Sequence, residues 1–220
     1  MKTGEGFFFT IEGTEGAGKT TVLNLVQQYF EKNNIKVTST REPGGVRIAE
    51  QIRTIALNTK NKEMDPKTEA LLFAAARSQH YEEVINPALA RGDLVLCDRF
   101  IDSSLVYQGT VRGLGVGIIE DISRFAIGYG RMPDLTVLLD VRPEVGLERI
   151  SSAGEAREIN RLDVEQIEFH RKIYEGYKQL AMKNPARIKI IDGEQSLEKV
   201  ASQVIQKIQE AIDCSQKGTL

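Results

Sequence analysis

The segment Gly13-Thr14-Glu15-Gly16-Ala17-Gly18-Lys19-Thr20 constrains this chain more than any other. It fits the spacing G-x-x-x-x-G-K-[ST], in which glycines let successive backbone N–H groups turn inward around an anion. The apolar run Phe7–Glu12 precedes it and reads as a buried strand. From Thr20 to about Lys32, Val22, Leu25, Val26 and Tyr29–Phe30 recur at helical spacing. A strand feeding a glycine loop that opens a helix points the positive helix end at the loop. The segment is therefore read as a phosphate cradle. Lys19 is expected at the β- and γ-phosphates, and the Thr20 hydroxyl on Mg2+. The competing reading is a glycine-rich turn without ligand. The strand before and the helix after argue against it.

The rest of the chain keeps the same alternation. Lys36–Thr40, Leu94–Asp98, Leu135–Asp140 and Arg187–Ile191 read as further strands. The continuous apolar character of Leu94–Cys97 suits a strand buried on both faces of a parallel sheet. Asp65–Pro66 reads as a helix start, with Asp as N-cap and Pro in the first turn. That helix is expected to reach Arg91, with a break at Pro87 and Gly92 as its cap. Further helices are predicted near Gly117–Gly128 and over Pro143–Ser152, Asp163–Lys183 and Ser196–Asp213. The fold class predicted is α/β, with a five-stranded parallel sheet and helices on both faces. Ser151–Ile159 has little apolar pattern and reads as a mobile lid loop, placed at about 150–162. Residues 1–220 are read as a single domain with its core at 6–212.

Composition bounds the partners. There are 29 basic and 31 acidic residues, for a net charge of −2. Such a balance does not suit coating nucleic acid or an anionic membrane. No apolar run reaches the roughly 18–20 residues of a membrane helix. Phe7–Phe9 has the wrong flanks for a signal peptide. Cys97 and Cys214 form no metal spacing, which points to a reduced, cytoplasmic compartment.

Asn61-Lys62-Glu63-Met64-Asp65 misses the guanine-reading N-K-x-D by one residue, and no D-x-x-G sequence occurs, so a signalling GTPase is disfavoured. A kinase acting on a phosphorylated acceptor must hold two anions together, so fixed cations are needed between them. Arginine suits this, because its fork binds phosphate through two bonds and stays charged. Asp98–Arg99 ends a strand, where ligand sites of α/β sheets lie. Arg53 follows the Arg41-Glu42-Pro43-Gly44-Gly45 turn, and Arg149, Arg157 and Arg161 flank or occupy the lid. Arg112, Arg124, Arg131 and Arg187 read as solvated surface charges.

Several further segments occur in one order: Thr40-Arg41-Glu42-Pro43-Gly44-Gly45, Leu72–Arg77, Asp98-Arg99-Phe100, Ser103-Ser104, Tyr107-Gln108-Gly109, Pro133–Thr136 and Arg161-Leu162-Asp163. With the cradle, over roughly residues 6–212, they resemble the thymidylate kinases, P-loop nucleoside monophosphate kinases. The resemblance implies a P-loop NTPase fold, a homodimer, and transfer of a phosphoryl group from ATP with Mg2+ to dTMP, giving dTDP for dTTP biosynthesis. It implies that Phe73 stacks on thymine, Arg77 donates to O4 and Gln108 reads the N3 edge. An amide beside an arginine favours a keto base over cytosine. Tyr107 would crowd the sugar 2′ position, Glu15 would contact the 3′ side, and Arg53 and Arg99 would clamp the dTMP phosphate. Ser104 would lie beside the base-reading residues, and Asp98 would hold Mg2+ through water. Glu42 is open between anchoring Arg41 or Arg99 and a direct role at the magnesium site. The cradle holds no basic side chain between Gly13 and Gly18, as in the bacterial type, where a lid arginine supplies the charge. Arg157 is the first choice, then Arg161, then Arg149. Phe100 departs from the Tyr or His common at its position. Two rivals stand beside this reading: a kinase for UMP/CMP or AMP, and a nucleotide-binding protein without catalysis.

Overall fold

The computed structural model describes residues 6–152, 161–163 and 165–216. The strands are β1 (Phe7–Gly13), β2 (Val37–Arg41), β3 (Leu94–Asp98), β4 (Leu135–Asp140) and β5 (Ile188–Asp192). They form one sheet in the order β2-β3-β1-β4-β5, with every neighbouring pair parallel. The five expected strands lie within a residue or so of their predicted bounds. Side chains alternate along β1, so Phe8 and Phe9 are both buried but in different cores. Phe9 and Ile11 join Val22, Val26 and Phe30 of α1 (Lys19–Lys32) and Val204 and Ile208 of α9 (Leu197–Gln216). Phe8 packs on the other side with Tyr81, Ile85, Val95 and Phe100. Burial on both faces explains why β1, β3 and β4 read as largely apolar runs.

The remaining helices are α2 (Arg47–Leu57), α3 (Pro66–His80), α4 (Asn86–Ala90), α5 (Ile101–Ser104), α6 (Val116–Ala126), α7 (Pro143–Ser152) and α8 (Ile167–Lys183). Asp65 caps α3 as expected, its carboxylate accepting from the Lys67 N–H at 2.8 Å. The helix expected to run on to Arg91 does so through one widened π turn, Tyr81–Ile85, and Pro87 stands in the first turn of α4. A second π segment, Leu105–Val111, extends α5. Two readings are corrected by packing. In α1 it is Leu23 rather than Leu25 that is fully buried, and Tyr29 is exposed. Arg187 is no solvated charge: it holds both oxygens of buried Asp102, at 2.6 and 2.7 Å, and also reaches Thr136. Arg112 and Arg131 are likewise paired and mostly buried, whereas the pair that Arg124 makes with Glu120 one turn away is exposed.

The register brings the strand ends together. Ile11 and Arg41 both pair with Asp98, and Gly13 pairs with Leu139. The glycine loop, the Arg41–Pro43 turn and Asp98–Arg99 therefore meet at the carboxyl edge of the sheet, where α/β folds place ligands.

Candidate active site

A cavity of about 650 Å³ opens at this edge. One wall is the Gly13–Thr20 loop, where Gly16 and Gly18 take the left-handed conformation at φ 71° and 85°. Gly16 lies directly against Gly146 of α7, and a Cβ at either position would overlap backbone of the other segment. The loop is thus held from behind by helix-to-loop contact that only glycines permit.

Lys19 is buried at the first turn of α1, and its ammonium donates to the carbonyl oxygens of Gly13 and Thr14, at 3.2 and 2.8 Å. Burial, and behind it the Arg99 charge, pull its pKa down from 10.5 to about 8. Between pH 8 and 10.5 the unfolded chain then binds more protons here than the folded one, so stability rises with pH. Wild-type protein should gain roughly 1–3 kcal/mol relative to Lys19→Met over that window. Denaturant unfolding of both proteins at about pH 7.5 and pH 10 measures it. Parallel pH profiles would show that Lys19 titrates normally.

Arg99 adopts φ 70°, which turns its side chain inward from the end of β3. Its guanidinium donates to Glu15, to the Ser103 hydroxyl and to the Tyr177 hydroxyl, all at 3.0–3.1 Å. The Tyr107 hydroxyl donates to the other Glu15 oxygen at 2.6 Å. Burial alone would raise the Glu15 pKa, but Arg99, Lys19 and Tyr107 together hold it below the usual carboxylate range. Glu12 sits beneath, accepting from the Phe100 and Ser103 N–H groups and from the Ser103 and Tyr177 hydroxyls. Burial, and after it Asp102, raise its pKa. The Thr20 hydroxyl donates to Asp98 at 2.7 Å, which brings the two expected metal-side residues together.

The opposite wall carries Phe73, Arg77, Ser104 and Gln108. Arg77 is fully buried. It donates to Glu42 at 2.8 Å, to the Ser123 and Ser104 hydroxyls, and to the Phe100 carbonyl. Glu42 therefore anchors neither Arg41 nor Arg99, the partners its turn suggests. It pairs with Arg77 and with His80, which in turn contacts the Thr40 hydroxyl at 2.6 Å. The Gln108 amide nitrogen donates to Glu69. Arg53 and Arg149 line the cavity. Arg161 does not line it. Its guanidinium is buried against Glu69 and the Ala56 carbonyl, because Glu69 offers a buried carboxylate that solvent cannot screen. Arg157 lies outside the described residues, as does most of the predicted lid.

The sequence alone assigns no role to Glu12, Glu69, His80, Ser103 or Tyr177. One signal is present for two of them. Glu69, Phe73, Arg77 and His80 recur at i, i+4, i+8 and i+11, so polar side chains share the buried face of α3. Charged groups on a core-facing stripe need partners there.

The strand–glycine loop–helix at the carboxyl edge, with a second cavity wall rich in donors, defines a P-loop nucleotide-binding protein. A family model described as thymidylate kinase matches residues 11–204. The chain belongs to the thymidylate kinase family. It is 53% identical over 200 residues to thymidylate kinase of Clostridium novyi, covering 91% of this chain and 97% of that protein. It is 50% identical over 211 residues to thymidylate kinase of Bacillus pumilus, covering 96% and 99%. Its fold is that of the crystal structure of thymidylate kinase from Ehrlichia chaffeensis, with a TM-score of 0.74 at 30% identity, covering 93% and 99% of the two chains. The expected P-loop NTPase fold and family are both found.

Proposed function

We propose that this protein transfers the γ-phosphoryl group of ATP to dTMP, giving ADP and dTDP for dTTP synthesis. The observation that carries this reading is one cavity holding Lys19 on one wall and the Phe73, Arg77 and Gln108 set on the other. Arg77 can only donate, which suits the thymine O4 acceptor, and an acceptor from Gln108 suits N3–H. Phe73 supplies the apolar face for the ring. Tyr107, fixed by Glu15, crowds the sugar 2′ side, and Glu15 faces its 3′ side.

The dTMP phosphate is largely dianionic at neutral pH, so its oxygen attacks without a general base. In the step, a bond forms between that oxygen and the γ-phosphorus, and the bond to the β,γ-bridging oxygen breaks. Backbone N–H groups of the loop, the N-terminus of α1 and Lys19 hold the ATP phosphates. Arg53 and Arg99 hold the acceptor phosphate. Arg149 lines the cavity from α7, and in this reading it meets the transferring group from the lid side. Arg157 keeps its proposed role there, and Arg161 acts indirectly through Glu69. The Thr20 hydroxyl and Asp98 carboxylate are hard oxygen donors that fit Mg2+, which neutralises phosphate charge when bound. Among the described residues no group of three His, Cys, Asp or Glu side chains could hold a metal. The ion would then be held mainly through substrate phosphates and water.

One domain carries both substrate sites in this reading, and two copies form the working enzyme. Support for a dimer comes from Leu71 on α3 and Ile118 and Phe125 on the adjoining α6, which are 58%, 59% and 75% exposed. Among the described residues no helix is long and apolar enough to cross a membrane. We place the enzyme in the cytoplasm, acting on small molecules rather than nucleic acid.

The test supplies ATP and Mg2+ with dTMP, dUMP, UMP, CMP, AMP or GMP and measures ADP. Turnover is expected with dTMP, and light scattering should give twice the chain mass. Turnover of another monophosphate in its place, or of none, would overturn the proposal.

A further inference from the structure

Gln108 is the residue on which base choice turns in the function proposed above, and this inference rests on that function. An amide is ambiguous: turned one way it offers the base an acceptor, turned the other way a donor. Its surroundings remove the ambiguity. The Gln108 nitrogen donates to Glu69 Oε1 at 2.8 Å. Glu69 is 1% exposed, and two guanidinium groups flank its carboxylate. Arg161 binds Oε2, and Arg112 lies 3.5 Å from Oε1. A carboxylate held between two cations accepts hydrogen bonds and cannot donate one. The nitrogen end of Gln108 is therefore committed to Glu69, and its oxygen is the end left for a ligand in the cavity that Gln108 lines.

The geometry points to Glu69 as the specificity-positioning residue: by fixing the Gln108 amide with its oxygen toward the base, it selects a ring that carries N3–H. Arg161 and Arg112 hold Glu69 in place, so the arginine expected at the phosphates serves base selection instead. Thymine and uracil carry hydrogen at N3. Cytosine carries a lone pair there and would face the amide oxygen acceptor to acceptor, which leaves buried groups unpaired.

The experiment compares dTMP and dCMP dissociation constants, by calorimetry, in wild type, Glu69→Gln, and the exchange Glu69→Gln with Gln108→Glu. In the single variant the amide introduced at position 69 can either donate or accept, which frees the Gln108 amide to turn over. Affinity for dTMP should fall about tenfold or more while that for dCMP does not fall. The exchange keeps the local charge. The amide at position 69 then donates to the carboxylate at position 108, which again leaves only acceptor oxygens toward the base. It should recover dTMP affinity to within a few-fold of wild type, without a gain for dCMP. A purely structural Glu69 predicts otherwise: equal loss for both nucleotides in the single variant and no recovery in the exchange. Either that pattern or an unchanged dTMP affinity in Glu69→Gln would overturn the inference. Should the single variant fail to fold, the exchange decides alone: folded protein that does not bind dTMP overturns it. Wild-type protein that fails to bind dTMP would instead refute the function proposed above.

Discussion

Lys19→Met should lose about three orders of magnitude in dTMP turnover while keeping its fold. Methionine matches the length of the aliphatic stem and removes only the ammonium. In the folded chain that ammonium is buried against the Gly13 and Thr14 carbonyls and shares its surroundings with Arg99. No other cation of the described loop stands between residues 13 and 20. Charge that develops on the transferring group would then lose its nearest fixed counter-charge, in a site shielded from water. Stability should not suffer, since burial makes the protonated lysine a cost in the absence of anions. Product formation followed by chromatography, beside circular dichroism and a melting curve, checks both halves. Turnover above about a tenth of wild type would refute the assignment of Lys19.

The second large effect is expected for Arg77→Lys, a change that conserves charge. The Arg77 fork serves Glu42, Ser123, Ser104 and the Phe100 carbonyl at once. A lysine presents three donors from a single atom and cannot span those directions. Buried acceptors would be left unpaired, Glu42 among them, at a cost of about 3 kcal/mol in stability. The same loss removes the oriented donor proposed for O4, so kcat/KM for dTMP should fall by about 10²–10³-fold. Urea unfolding gives the first number and initial-rate kinetics the second. If both stay near wild type, Arg77 is neither the organiser of this wall nor the reader of the base.

Much of the fold is legible in the sequence because its determinants are local. The Gly13–Thr20 loop, the apolar strands and the Asp65 cap each depend on a few adjacent residues. The pairings of the site do not. Tyr107 meets Glu15 across 92 residues, Thr20 meets Asp98 across 78, and Arg77 meets Glu42 across 35. A lone arginine looks the same in a sequence whether it ends in solvent or in a buried pair. That is why Arg187 and Arg112 read as surface charges and Arg161 as a phosphate ligand until the fold is known. The acid each one meets comes from another element, and only packing decides which.

By itself, then, the order of residues determined a parallel α/β sheet, a phosphate cradle at the end of its first strand, and the residue types available for two anionic ligands. These follow from backbone geometry and hydrophobic periodicity, which act over one turn or one strand. Tertiary structure alone decided which acid holds which arginine, and so which way the Arg77 and Gln108 side chains are held. Glu42 went to Arg77 and Glu69 to Arg161 and Gln108. A buried charge must find its partner among whatever the fold brings within about 3 Å.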